Sequence, residues 1–314
     1  MKSLFRILAA LFLLATLAAT GAYFYMNEER TELSEDIRKN LPGRFIETPL
    51  GVVHYEIAGP DTGKTVVLVH GFSVPAYIWE PTFSALADSG FSVVSFDLFG
   101  RGYSDRPDTE YTIEFFSQQL AALLKALHIE EPVYLAGLSM GGPIVATFTN
   151  RHPEMVAKLV LVDPMVFPPT EKEIWPLQVP LVGEYLAAVH FLPRLADSQQ
   201  NDFYDKTKAK NWRAKFQDQM QYVGFRRAIL STVRNFIGLD ALKEYRELGM
   251  RKLPVQLFWG REDETLPIAT SDTLRKVMPQ VQFHIVDKAG HIPQYERPEV
   301  FNPLLVAFLR QETE

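Results

Sequence analysis

Short apolar runs alternate with helix-like segments along most of the chain, from residue 45 to its end. The runs VVLV at 66–69 and LVLV at 159–162 are apolar at every position, which is typical of strands buried on both faces. Strands are therefore predicted at 52–57, 65–70, 92–97, 133–138, 158–163, 255–259 and 281–286, and helices at 113–127, 268–277 and 300–309. This alternation predicts an α/β fold with a mostly parallel central sheet and helices on both faces.

The first 26 residues have a different pattern from the rest of the chain. Lys2 and Arg6 precede 20 uncharged residues, 7–26, whose end carries three consecutive aromatic residues (YFY). A helix of that length spans about 30 Å, the thickness of a hydrocarbon core, and tyrosine favours the edge of that core. Residues 1–26 are predicted to be a membrane anchor; the alternative is a secretory signal cleaved near residues 20–22.

Residues 27–44 are polar and charged, and are predicted to form a stalk between the anchor and the folded domain. The basic N-terminus favours the cytoplasmic side, although four basic residues also follow the apolar run. Long domains are translocated largely regardless of their charge. The catalytic domain is therefore predicted to be extracytoplasmic, either anchored by the single helix or secreted after signal cleavage.

The regular alternation stops after Asp163 and resumes at Val255. Between them, residues 165–249 carry several prolines and then a charged, helical pattern, which predicts an inserted helical cap that divides the core into 45–164 and 250–314. The apolar stretch 175–192 is expected mainly to pack the cap onto the core. Its other interpretations are an apolar acyl pocket or a surface that faces a membrane.

Composition removes several classes of function. The net charge is −6, so the chain has no general attraction for nucleic acid, and none is predicted as a partner. The absence of cysteine excludes disulfides, thiolate metal sites and a cysteine nucleophile.

A serine flanked by small residues follows the predicted strand 133–138. Residues 137–142 read GLSMGG, and a helical pattern begins behind them. Small neighbours let the backbone turn so sharply that the hydroxyl of Ser139 stands above the sheet edge, at the start of a helix. Ser139 is therefore the predicted nucleophile.

Such a serine needs an imidazole to take its proton and an acid to hold that imidazole. His291 follows the last predicted strand on a glycine-containing loop, at the sheet edge where ligands gather. Asp263 follows the preceding strand, and the order Ser139, Asp263, His291 is the one expected for a serine elbow. Asp163 also ends a strand and competes with Asp263 for the role of the acid.

Two backbone amides are predicted to bind the oxyanion of a tetrahedral intermediate. The N–H of Met140 follows the nucleophile, and the N–H of Phe72 lies in a turn after an early strand. Ser73, in the same turn, is expected to cap the next helix or to line the pocket rather than to attack a substrate.

Together these segments resemble the α/β-hydrolase superfamily from about residue 45 to 311. The resemblance is carried by residues 70–72 (HGF), 97–105 (DLFGRGYSD), 137–142 (GLSMGG), 260–263 (GRED) and 290–291 (GH). It implies a lidded serine hydrolase with neither cofactor nor metal, in which the turn 97–105 is structural. A membrane segment joined to a capped core is similar to membrane-anchored monoacylglycerol lipases.

The function expected from these observations is hydrolysis of a carboxylic ester or lipid through an acyl-serine intermediate. One alternative keeps the triad but cleaves a C–C bond in a ring-cleavage diketone, whose carboxylate Arg226 and Arg227 of the cap could bind. A lactonase or acyltransferase with the same triad is another alternative, and a catalytically silent binding protein is a remote one.

Overall fold

The apolar runs of the sequence form an eight-stranded sheet in a computed structural model that describes residues 1–169 and 171–312. The strand order is β1-β2-β4-β3-β5-β6-β7-β8; β2 runs antiparallel to both neighbours, and all other pairs are parallel. The strands are β1 (Arg44–Thr48), β2 (Gly51–Ala58), β3 (Thr65–Val69), β4 (Ser92–Phe96), β5 (Val133–Leu138), β6 (Val156–Val162), β7 (Val255–Gly260) and β8 (Gln282–Val286). The predicted α/β fold with a mostly parallel sheet is confirmed.

The core lies in two layers, one on each face of the sheet. Side chains of a strand point alternately to opposite faces, and in β3 Val67 belongs to one apolar cluster while Val66 and Leu68 belong to the other. Val67 is completely buried between Val94 of β4 and Leu135 of β5. The uninterrupted apolar runs of the sequence are thus explained by burial on both sides.

Fourteen α-helices are present among the described residues. They are α1 (Lys2–Tyr25), α2 (Glu35–Arg38), α3 (Glu80–Asp88), α4 (Ile113–Ala126), α5 (Gly141–Arg151), α6 (Glu171–Gln178), α7 (Val182–Leu186), α8 (Leu192–Ser198), α9 (Trp212–Gln217), α10 (Phe225–Thr232), α11 (Leu242–Gly249), α12 (Ser271–Val277), α13 (Pro293–Glu296) and α14 (Pro298–Arg310). Helices α4, α5 and α12 contribute to the first apolar cluster, and α3 and α14 to the second, so the sheet is covered on both faces.

Strand β1 is absent from the sequence prediction, which placed Arg44 in the stalk. Among the described strands it pairs only with β2, through a tight reversal at Gly51, and none of its five residues is fully buried. An edge strand of this kind has no continuous apolar run to reveal it. His70, Asp97 and Asp163 were predicted as the last residues of strands but lie one position beyond them.

The segment between β6 and β7 contains α6 to α11, joined by short turns that include a π-helical turn at Ala187–Phe191. Trp212, Phe216 and Phe225 pack in the second apolar cluster and attach this cap to the core. Most of the aromatic residues of the cap therefore serve packing, whereas Trp175 remains 54% exposed.

The polar residues after α1 lie against the cap. The Arg30 N–H donates to the Gln221 carbonyl at 2.8 Å, and the Val223 N–H donates to the Thr31 carbonyl at 3.0 Å. Helix α1 itself has a mean hydropathy of 2.0 and no buried residue. It is long and apolar enough to be a membrane anchor or a signal sequence.

Candidate active site

Ser139 lies at a sharp turn between β5 and α5. Its φ is +53°, a left-handed conformation that is uncommon outside glycine. The turn requires small neighbours: a Cβ on Gly137 would meet the Gly141 carbonyl oxygen at 2.4 Å, and one on Gly71 would lie 3.1 Å from the Ser139 Cβ. The strained turn leaves Ser139 half-buried rather than closed off from the cavity beside it.

The predicted acid and histidine are in direct contact. His291 Nδ1 lies 2.8 Å from Asp263 Oδ2. The other oxygen, Asp263 Oδ1, accepts the Thr265 N–H at 2.8 Å and the Leu266 N–H at 2.9 Å. With both of its oxygens held in this way, the Asp263 carboxylate fixes the ring of His291 so that Nε2 is left to take a proton.

The charge of Asp263 also changes the basicity of the imidazole. Burial favours the neutral ring and would lower the pKa of His291, but the carboxylates of Asp263 and Asp202 outweigh it, and the pKa is raised. A histidine tuned in this direction is a stronger general base than one buried without an acid.

Asp163 is completely buried beside this pair. One carboxylate oxygen of Asp163, one of Asp263 and a ring nitrogen of His291 all lie within 4.8 Å of one another. Three such groups could hold a metal ion in principle. Because His291 Nδ1 and Asp263 Oδ2 already bind each other, the cluster is explained as a histidine held by one acid with a second acid behind it.

The two backbone amides predicted to bind the oxyanion make no hydrogen bond to the described residues. In the part of the chain that the structure describes, neither the Phe72 N–H nor the Met140 N–H has an acceptor. The Phe72 carbonyl accepts Arg101 Nε at 2.7 Å, and Arg101 is completely buried. Arg101 thus holds the turn that presents the Phe72 amide.

A cavity of about 310 Å³ opens at Ser139 and His291. Ser73 lines it, as expected, and the cap contributes Phe191 and Leu195. No lysine or arginine is among its lining residues in the described part of the chain. Arg226 and Arg227, considered above as possible partners for a substrate carboxylate, line a different cavity.

A family model for the alpha/beta hydrolase fold matches residues 64–298. The chain belongs to the α/β-hydrolase family. A 2-hydroxy-6-oxononadienedioate/2-hydroxy-6-oxononatrienedioate hydrolase from Paraburkholderia phymatum is 28% identical over 305 residues, which cover 94% of this chain and 98% of that protein.

Two solved structures have the same fold as this hydrolase. An esterase from Thermogutta terrifontis matches with a TM-score of 0.72 and 23% identity, covering 86% of this chain and 98% of its own. A membrane phospholipase A matches with a TM-score of 0.67 and 24% identity, and covers 98% of both chains.

Sequence reasoning about the hydrolase missed Asp202 of the cap. The Asp202 carbonyl accepts the His291 N–H at 2.8 Å, and Asp202 Oδ1 accepts the Thr265 hydroxyl at 2.9 Å. A Cβ on Gly290 would meet the Asp202 carbonyl oxygen at 2.4 Å, so a side chain there would separate the histidine loop from the cap. Nothing in the local sequence around Asp202 indicates this contact, because it forms only when the cap is packed on the core.

Glu296 was also missed. It is completely buried and accepts the Gly290 N–H at 2.7 Å, the Tyr204 N–H at 3.0 Å and the Asp205 N–H at 2.9 Å. One carboxylate therefore joins the loop of His291 to the cap. The signal that could have found it is its position five residues after the histidine, where the short helix α13 ends.

Proposed function

We propose that this hydrolase cleaves carboxylic esters with an apolar acyl group through an acyl-serine intermediate. Ser139 Oγ attacks the ester carbonyl carbon while His291 Nε2 takes the hydroxyl proton. The carbonyl oxygen becomes an oxyanion that the amides of Phe72 and Met140 bind. The protonated His291, stabilised by Asp263, then gives its proton to the departing alcohol.

The second half of the reaction repeats these steps with water. His291 takes a proton from the water, whose oxygen attacks the acyl carbon and forms a second oxyanion in the same place. Collapse of that intermediate breaks the bond to Ser139 Oγ, which recovers its proton from His291. The products are a carboxylic acid and an alcohol.

The lining of the catalytic cavity is the observation that carries this proposal. Beside Ser139 it presents apolar side chains, among them Val74, Ile78, Phe191 and Leu195. Within the described residues it contains no lysine or arginine, so it fits an uncharged acyl chain better than a carboxylate.

A lipid substrate presented at a membrane is the class we favour. Helix α1 has no buried residue and is long and apolar enough to span a bilayer. The solved membrane phospholipase A covers 98% of this chain, including the region of α1. We propose that α1 anchors the hydrolase, with its catalytic domain outside the cytoplasm, and that monoacylglycerol-like esters are substrates.

The second candidate is hydrolysis of a C–C bond in a ring-cleavage diketone. The relative from Paraburkholderia phymatum, named as a hydrolase of a dienedioate, favours it. Such a substrate carries carboxylates, and the catalytic cavity offers them no arginine or lysine among the described residues. The same triad would serve a lactonase, and the solved enol-lactonase from Burkholderia xenovorans has the same fold.

The two candidates are separated by direct assay of the full chain in detergent. We expect turnover of p-nitrophenyl esters that rises from acetyl to medium acyl chains, with turnover of monoacylglycerols and none of a ring-fission diketone. Ser139→Ala is the control for background hydrolysis. Activity on the diketone alone would replace the ester proposal with the second candidate.

A further inference from the structure

A second cavity, of about 830 Å³, lies between the last turn of α1 and the cap. Tyr23 and Phe24 form one wall, and Arg226, Arg227 and Arg234 of the cap form another. It shares no lining residue with the catalytic cavity. Its position at the aromatic end of the apolar helix is the level at which lipid headgroups lie if α1 spans a membrane.

Arg226 is the arginine of this cavity that has no ion-pair partner among the described residues. Its guanidinium carbon lies 4.5 Å from the centre of the Tyr23 ring. Among the described residues, no carboxylate forms an ion pair with its side chain; Glu29 accepts the Arg226 backbone N–H instead. The stacked guanidinium is thus oriented and keeps its N–H groups for another acceptor.

The other two arginines are partly engaged. Arg227 Nε lies 3.3 Å from Asp108, and Arg234 Nη1 lies 2.6 Å from Glu184. Arg234 Nη2 is buried and has no hydrogen-bond partner in the part of the chain that the structure describes. Because the buried Nη2 of Arg234 is closed to a ligand in the cavity, Arg226 is the arginine whose N–H groups are open to an anion. Guanidinium groups provide this chemistry for phosphate.

Acidic side chains complete the lining. Glu29, Asp108, Glu110 and Glu184 stand among the three arginines, so the cavity offers both signs of charge. A simple anion such as inorganic phosphate would meet these carboxylates unfavourably. A headgroup that carries a phosphate and an ammonium would satisfy both sets.

We propose that this cavity binds the phosphoethanolamine-type headgroup of a membrane phospholipid, with its phosphate on Arg226. The inference rests on the membrane anchoring proposed above but not on chemistry at Ser139. Bound there, the lipid would fix the cap relative to the bilayer. Ala187 lines this cavity and Phe191, one helical turn away, lines the catalytic one, so the two sites share one cap segment.

The test uses the full chain with Ser139→Ala, which prevents turnover, in non-ionic detergent. Binding of dihexanoyl-phosphatidylethanolamine is compared with dihexanoylglycerol, which lacks the headgroup. We expect the phospholipid to bind more tightly, and Arg226→Gln to weaken its binding about tenfold, the usual effect of losing a charge-assisted hydrogen bond. Arg226→Lys should retain part of the affinity.

The matched control is Arg213→Gln, also in the cap, where Arg213 pairs with Asp197 at 3.2 Å and lies outside the cavity. It should leave phospholipid binding unchanged, and both variants should melt at the temperature of the parent. Equal affinity for the two lipids, or no effect of Arg226→Gln, would overturn the proposal. Free phosphoethanolamine binding as tightly as the phospholipid would overturn the membrane as the source of the ligand.

Discussion

Asp163 and Asp263 bring one carboxylate oxygen each within 4.8 Å of the other at the ends of neighbouring strands. Asp263 Oδ2 is held by His291, while the one donor to Asp163 Oδ1 among the described residues is the Gly260 N–H at 2.8 Å. Burial and the charge of Asp263 both raise the pKa of Asp163 well above its usual range. Two carboxylates this close disfavour a second charge, so the raised pKa of Asp163 favours its protonated form.

This arrangement predicts that Asp163 partly replaces Asp263. In Asp263→Asn the neighbouring charge is removed, so Asp163 ionises more readily and can support protonated His291. We expect Asp263→Asn to retain at least tenfold more kcat/KM toward a p-nitrophenyl ester than the double variant Asp163→Asn/Asp263→Asn, out of about 10⁴-fold available to a triad acid. Equal activities of the two variants would show that Asp163 gives no support.

The raised pKa of Asp163 predicts how the stability of the fold depends on pH. An acid whose pKa is raised in the folded state stabilises the fold below its unfolded pKa, and this contribution is lost as pH rises through the folded value. Asparagine does not titrate. The melting temperature of Asp163→Asn, relative to the parent, should therefore rise between pH 4.5 and pH 8; a constant or falling difference would contradict a protonated Asp163.

Much of this site could be predicted from the sequence because its parts are local. The turn at Ser139 and the loop of His291 are each set by a few adjacent small residues, and parallel strands bring their ends to one edge. The choice between Asp163 and Asp263 was less determined, since both follow strands. It depends on which carboxylate oxygen lies within hydrogen-bond distance of His291 Nδ1, and that distance is set only when the loops pack together.

The cap could be predicted as a segment but not in its contacts. Asp202 accepts from the His291 backbone and Glu296 from the Tyr204 backbone, each about ninety positions away, and backbone groups are supplied by any sequence. Strand β1 was missed because an edge strand is only partly buried. The cavity at Arg226 depends on how the residues after α1 lie on the cap, which charge and hydropathy do not encode.

The charge of Asp202 near His291 predicts that replacing Asp202 shifts the pH profile of the hydrolase. The general base must be neutral to accept the Ser139 proton, so activity is lost as pH falls through the raised pKa of His291. Asp202→Asn removes one of the charges that raise this pKa, and the acidic limb of kcat/KM should move to lower pH. Asp197→Asn, an exposed cap residue, is the control and should leave the limb in place.

The close contact of Gly290 with the cap predicts that a side chain at this position moves His291. A Cβ there would meet the Asp202 carbonyl oxygen at 2.4 Å, so Gly290→Ala should displace the histidine loop from the cap. A displacement of about 1 Å costs roughly 100-fold in rate. In Gly238→Ala, the control in the cap, the new Cβ would have its nearest neighbour at 3.4 Å, and kcat/KM should stay close to that of the parent.

The central claim is that Ser139 is the nucleophile of this hydrolase. It is tested by treating the full chain with a fluorophosphonate and measuring the intact mass and the modified peptide. We expect one adduct, on Ser139, that is absent from Ser139→Ala and undiminished in Ser73→Ala, whose serine lines the same cavity. No adduct on the parent, or an equal adduct on Ser139→Ala, would contradict the account.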